Sequence, residues 1–382
     1  MTPNPFEFEA ANKFTPNQMV EYFIDDYNYA RFVYSRKNVF LLGDRGTGKT
    51  MVLRYYSLPI QNVAKKDKEG GRDELLRMIG IYVPCRKPAL KKTEPDMLDP
   101  FLGRIMAEHL MVVAMIAALA DSLNSVPEVS KPEEIEQLRR EIAFVLQWEI
   151  PDNIPLFRAL SLAAQRESRD AQTALNKRVP DGHYENAVSF ATAFQPLIEV
   201  IVASLSKLTE SHFSIMFDDA DDLSDLQNET LNSWIATRDT SRISFKVATS
   251  KVDQKSLKTI SGDGLLERHD YIRVDLKQGF QNSDASYGKL VRRIVNKRLS
   301  TFDIKQDADD FFPINQQMAD DLKTAGDIAR KEAEEKYPDK DPDQIRHYVY
   351  KMERAIYFRE RDSKANRPPY SGFDLLVHVS TG

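Results

Sequence analysis

The chain has 382 residues, 42% of them hydrophobic and 29% charged, and its 53 lysines and arginines against 58 aspartates and glutamates leave a net charge of −5. Such a chain can bury a substantial core and has room for one large domain plus a smaller one, while its mildly acidic balance gives no sign of a bulk nucleic-acid binder. The single cysteine, Cys85, excludes an intramolecular disulfide and is expected as a small buried hydrophobe in a reducing, cytoplasmic setting, and six scattered histidines offer no zinc spacing.

In chain order, residues 1–36 read as an N-terminal helical linker. Its first residues, Met1 to Glu9, lack the basic start and apolar stretch of a secretory signal, and Thr15 to Arg36 is helical and rich in aromatics. A short apolar strand, Asn38 to Leu42, then runs into Gly43-Asp44-Arg45-Gly46-Thr47-Gly48-Lys49-Thr50, with Met51 continuing as a helix. Gly-x-x-x-x-Gly-Lys-Thr between a buried strand and a helix is the pattern of a phosphate-binding loop. Its glycines permit a tight turn whose N–H groups point at phosphates, and the new helix adds unpaired amides and the positive end of its dipole. Lys49 is expected at the β/γ-phosphates of ATP and the Thr50 hydroxyl on Mg²⁺.

Ile79 to Pro84 is the second strand. The long stretch that follows is helical in composition, notably at Leu98 to Leu123, Pro132 to Trp148 and Tyr184 to Leu208, and exceeds a simple crossover, so residues 98–208 are expected as a helical insertion. Within it, Leu110 to Ala120 is the longest unbroken apolar run; at eleven residues it is too short to cross a bilayer and is expected as a core helix, which leaves no membrane partner.

The third strand, Phe213 to Phe217, leads directly into Asp218-Asp219-Ala220-Asp221-Asp222. A carboxylate at the tip of such a strand is what a Mg²⁺-nucleotide site needs, which makes Asp218 the second metal ligand; the alternative for the cluster is a solvated loop or helix cap. Asp219 holds the position of a water-polarising carboxylate, one methylene shorter than a glutamate would be. The fourth strand, Ile243 to Thr249, ends in Thr249-Ser250, polar groups placed to bond the γ-phosphate or orient the water, and the fifth is Tyr271 to Leu276. Strands alternating with helices predict an α/β fold with a parallel, helix-covered sheet over residues 37–277. The polar segment Gln278 to Ser286 marks the boundary to an all-helical region, 287–382, where Ile345, Tyr348, Val349, Met352 and Ile356 form one buried helix face.

The ordered set of Gly43 to Thr50, Asp218-Asp219-Ala220-Asp221, Thr249-Ser250 and "LLERHDYIRVDL" before a helical remainder resembles an AAA+ P-loop ATPase of the origin-recognition and helicase-loader branch, a plan shared with the STAND ATPases. The resemblance implies a five-stranded sheet with a helical lid, ATP and Mg²⁺, and nucleotide held between subunits of a homo-oligomer. It also implies that Arg268, just before the last strand, is an arginine finger reaching the γ-phosphate of the next subunit. For the family's second sensor, an arginine in a Gly-x-Pro-Arg stretch late in the lid, either the sequence given is shortened at that point or the contact comes from elsewhere, Arg292 or Arg293 being candidates, and the adenine pocket is expected at Tyr22 to Phe32. The activity so implied is slow ATP hydrolysis that switches or scaffolds a partner effector protein, by analogy in defence against phage. The alternatives are a DNA-binding initiator, loader or transposition regulator using the basic faces Lys289/Arg292/Arg293/Lys297/Arg298 and Arg346/Lys351/Arg354/Arg359/Arg361, and a pseudo-ATPase subunit.

Overall fold

The computed structural model describes residues 4–7, 10–25, 29–66, 71–88, 90–177, 184, 186–237, 242–250, 257–276, 284–338, 341–359, 371–373 and 377. They belong to two compact units, one spanning residues 8–282 and the other residues 1–7 with 283–382. The stretch 1–36, expected as a linker, is thus divided between them, and from Phe14 onward it contributes the buried side chains Met19, Tyr22 and Phe23 to the larger unit. The expected boundary segment, Gln278 to Ser286, lies largely outside the described residues, up to the start of a helix at Asp284.

The larger unit is α/β. Its five strands are β1 (Val39–Leu42), β2 (Met78–Pro84), β3 (His212–Asp218), β4 (Ile243–Thr249) and β5 (Ile272–Asp275), in the order β2-β3-β4-β1-β5. Every pairing is parallel, as near-continuous apolar strands require when both sheet faces are covered. Side chains alternate between two cores. Phe40, Leu42, Ile81, Phe213, Phe217 and Phe245 face the helical insertion, while Val39, Leu41, Met216 and Ala248 face Val52, Leu53 and Tyr56 of the helix after the phosphate loop and the turn that ends it. Position 80 on β2, which falls on this second face, is a glycine, and a side chain there would collide with the Tyr56 carbonyl. Lys246 interrupts an otherwise apolar β4. It is buried to 1% exposure, and its ammonium donates to the carbonyls of Ser35 (2.7 Å) and Lys37 (2.5 Å) and to Ser244 Oγ (2.9 Å), which offsets the cost of burying a charge.

The insertion contains the helices Pro100–Asn124, Pro132–Leu146, Leu156–Asn176 and Gln195–Ser204. Asp99 caps the first by accepting from the amides of Phe101 and Leu102. This helix corrects the length argument made on Leu110 to Ala120: flanking apolar residues extend it until it is long and apolar enough to cross a membrane. What separates it from such a span is packing, since 61% of its most apolar window is buried, with Met111, Met115 and Leu119 in the same core as β2 and β3. At the other end of the insertion, helix begins only at a single π turn, Phe190–Phe194, and not at Tyr184.

In the smaller unit, the helices Gln316–Lys336 and Pro342–Arg359 form a hairpin. Ala325 and Ala329 on one helix allow close approach to Val349, Met352 and Ile356 on the other, three of the five positions expected on that buried face.

Candidate functional site

The parallel registers align the carboxyl ends of the strands: Leu42 lies opposite both Thr249 and Asp275, and Pro84 opposite Asp218. Any residue following a strand therefore emerges at one edge of the sheet, where α/β proteins place ligands.

At that edge the chain from Gly43 to Thr50 turns into the helix Lys49–Tyr55. Gly46 and Gly48 both have φ +87°, a conformation that costs glycine little and other residues more, and a side chain on Gly43 would collide with Thr47 Oγ1. Thr47 Oγ1 donates to the Asp44 carbonyl at 2.8 Å, tightening the turn. The Lys49 ammonium folds back into the loop, 2.6 Å from the Gly43 carbonyl and 3.0 Å from that of Asp44. Burial pushes this ammonium below the usual lysine range, opposed by the carboxylates of Asp221, Asp218 and Asp219. A cation held inside a ring of backbone, facing carboxylates, suits a polyphosphate that arrives with its own divalent cation.

Asp218 ends β3 at 1% exposure. Tyr82, on β2, donates its hydroxyl to Asp218 Oδ2 at 2.7 Å. Burial raises the carboxyl above the usual carboxylate range, Asp219 adds to this, and Tyr82 and Thr50 oppose it. The Thr50 hydroxyl is near enough to stabilise the carboxylate, yet Oδ1 is buried without a well-formed hydrogen bond. An orphaned buried carboxylate oxygen costs on the order of 1–3 kcal/mol or more, and a Mg²⁺ ion beside Thr50 is what these two groups fit. No cluster of three or more His, Cys, Asp or Glu that could hold a metal occurs among the described residues.

The remaining acids diverge. Asp219 takes the left-handed conformation, φ 53° and ψ 46°, and turns the chain out of the strand into the 3₁₀ segment Ala220–Asp222. Asp221 accepts from the Ser250 amide at 2.7 Å and from the Thr249 hydroxyl, tying the acidic loop to the end of β4. A hydroxyl has one hydrogen to donate, so Thr249 cannot also donate to a phosphate while it serves Asp221. Sequence reasoning placed Thr249 to bond the γ-phosphate or orient the water and gave Asp221 no role; the only available signal was a third acid opposite a polar strand end. Asp222 pairs with Arg86 at 3.3 Å and with Lys91.

Arg268 stands apart. It is exposed, has φ 73°, and donates its amide to the Tyr271 carbonyl at 2.7 Å in the turn before β5. Because Ile272 pairs with Val39, this turn lies at the amino end of the sheet, opposite the phosphate loop. Roughly 13 Å of strand separates the two edges, beyond the reach of an arginine side chain. Among the described residues Arg268 has no ion pair.

Tyr22, Phe23 and Tyr29 of the expected adenine segment are buried, and Phe23 stacks on Tyr55 with ring centroids 3.6 Å apart; residues 26–28 lie outside the described set. Of the arginines expected to sense phosphate or bind DNA, Arg292 pairs with Asp309 and lies over Phe373, Arg346 pairs with Asp343, and Arg354 lies over Tyr350. Arg361 lies outside the described residues.

A family model described as ORC-CDC6-like matches residues 4–340. No curated protein and no solved structure matches the chain.

Proposed function

The chain belongs to the ORC-CDC6-like family, a family of AAA+ ATPases, and on that premise we propose that it is an ATP-dependent switch or scaffold whose hydrolysis is slow and requires assembly. The observation that carries this reading is the position of Arg268. At the amino edge of the sheet Arg268 is out of reach of its own phosphate loop, which supports a finger acting on the nucleotide of a second copy.

In this reading Lys49 holds the β/γ-phosphates, backbone amides of Gly43 to Met51 cradle them, and Thr50 and Asp218 hold Mg²⁺. The ion supplies charge neutralisation on the phosphates when bound. Asp219 orients the attacking water from a carboxylate one methylene short, which supports slow turnover. The partner that reads the switch is a protein, in a cytoplasmic setting supported by the single buried thiol, Cys85, and defence against phage is the role proposed for the pair.

The test is ATP turnover against protein concentration for the unmodified chain, Lys49→Ala and Arg268→Ala, with oligomer mass recorded in the same samples. Turnover that rises with assembly and disappears in both variants supports the proposal. Turnover independent of concentration, or unchanged in Arg268→Ala, removes the trans mechanism.

A further inference from the structure

The Mg²⁺-binding carboxylate has a partner that the phosphate-loop pattern does not contain. On β3, residues alternate between the two sheet faces, and Asp218 lies on the same face as Met216, toward the phosphate-loop helix. On β2, Tyr82 pairs in register with Met216, so its ring leaves the sheet on that same face, one pleat before Asp218. One pleat is two residues, roughly 6.6 Å along a strand. Among polar side chains that could stand at this position, a tyrosine spans that gap while keeping its ring in the apolar layer; the ring packs with the Tyr56 and Val52 core, and the hydroxyl reaches Asp218 Oδ2 at 2.7 Å. The other carboxylate oxygen, Oδ1, is the buried one without a well-formed hydrogen bond.

We propose that Tyr82 is a positioning residue for the metal site: it occupies one oxygen of Asp218 and so presents the other, in one orientation, to the divalent cation. The proposal rests on Asp218 being the Mg²⁺ ligand. Without the phenol, the carboxylate loses the hydrogen bond that fixes which oxygen turns toward Tyr82, and only weaker contacts near Thr50 orient it. Cation binding then has to order it, and loss of an outer-sphere hydrogen bond of this kind typically costs about 10- to 100-fold in metal affinity.

The experiment is a Mg²⁺ titration of a fluorescent ATP analogue bound to the full chain, for the unmodified protein, Tyr82→Phe and Asp218→Asn, with the affinity in EDTA and the melting temperature measured alongside. Tyr82→Phe keeps the ring and its packing. The expected result is a rise of about 10- to 100-fold in the Mg²⁺ concentration at half-response, with affinity in EDTA held and the protein still folded at the assay temperature, its melting temperature lowered by no more than one lost buried hydrogen bond explains. A midpoint within twofold of the unmodified protein overturns the proposal. So does an equal loss of affinity with and without Mg²⁺, which would make Tyr82 a packing residue. Asp218→Asn separates the two layers: if it leaves the Mg²⁺ response intact, the assignment of Asp218 itself fails, whatever Tyr82 does.

Discussion

Asp218, Asp219, Asp221 and Asp222 follow one another in a single short stretch, yet each meets a different neighbour and does a different thing. Asp218 is inside the sheet edge with Tyr82, Asp221 holds the Thr249 hydroxyl and the Ser250 amide, and Asp222 is drawn to Arg86 and Lys91. Asp219 alone carries the proposed work on water. Because a general base acts only within hydrogen-bond reach, lengthening it by one methylene tests whether reach limits the rate. Asp219→Glu is expected to raise the ATP turnover number severalfold with nucleotide affinity unchanged, measured under assembled conditions; a drop would mean that the left-handed backbone at this residue, and not its length, sets the geometry. The place of Asp218 at the end of β3 was legible because it directly follows an apolar run. The role of Asp221 was not, since its partners lie on another strand, remote in the chain and brought close only by the sheet.

At the level of elements, the strands were readable because their alternation is short-range, whereas the insertion depends on side chains that meet across helices. His109 in the Pro100–Asn124 helix shows how. It is fully buried, its Nδ1 accepts from the Val188 amide at 3.1 Å, and its Nε2 lies 3.7 Å from Glu167 Oε1 in the Leu156–Asn176 helix, which also accepts from the Tyr184 hydroxyl. Burial pushes the His109 imidazole down to about 4 from an ordinary 6.5. Between those values the unfolded chain binds the proton and the folded chain does not, so this residue's contribution is present above pH 6.5 and is lost as pH falls toward 4. The loss amounts to about 3 kcal/mol at one pKa unit per 1.36 kcal/mol. Glu167, whose carboxyl burial raises, works in the opposite sense, weakening the fold as pH rises through its range. In thermal melts, the Tm advantage of the unmodified chain over His109→Asn should therefore shrink as pH falls from 6.5 toward 4. A constant difference would mean that the histidine contributes packing alone.

For the whole molecule, the parallel sheet has two edges with unlike equipment. The carboxyl edge carries the phosphate loop, Asp218 and the end of β4, and the amino edge carries Arg268. A site completed by a second copy makes a further prediction: mixing Lys49→Ala with Arg268→Ala chains, each inactive alone, restores part of the turnover, because one supplies the loop and the other the finger. Failure of the mixture despite mixed oligomers by mass would place Arg268 outside the reaction. The phosphate loop, the strand-then-acid pattern and the α/β alternation were determined by the sequence alone, because each rests on residues close together in the chain and on backbone rules that hold wherever they occur. Which acid is buried beside Tyr82 and which serves β4, why Tyr82 and not another residue meets Asp218, and why a helix long enough for a membrane packs against a sheet were decided by tertiary structure. Those outcomes depend on strand order and register, which set distances between residues that the chain keeps far apart.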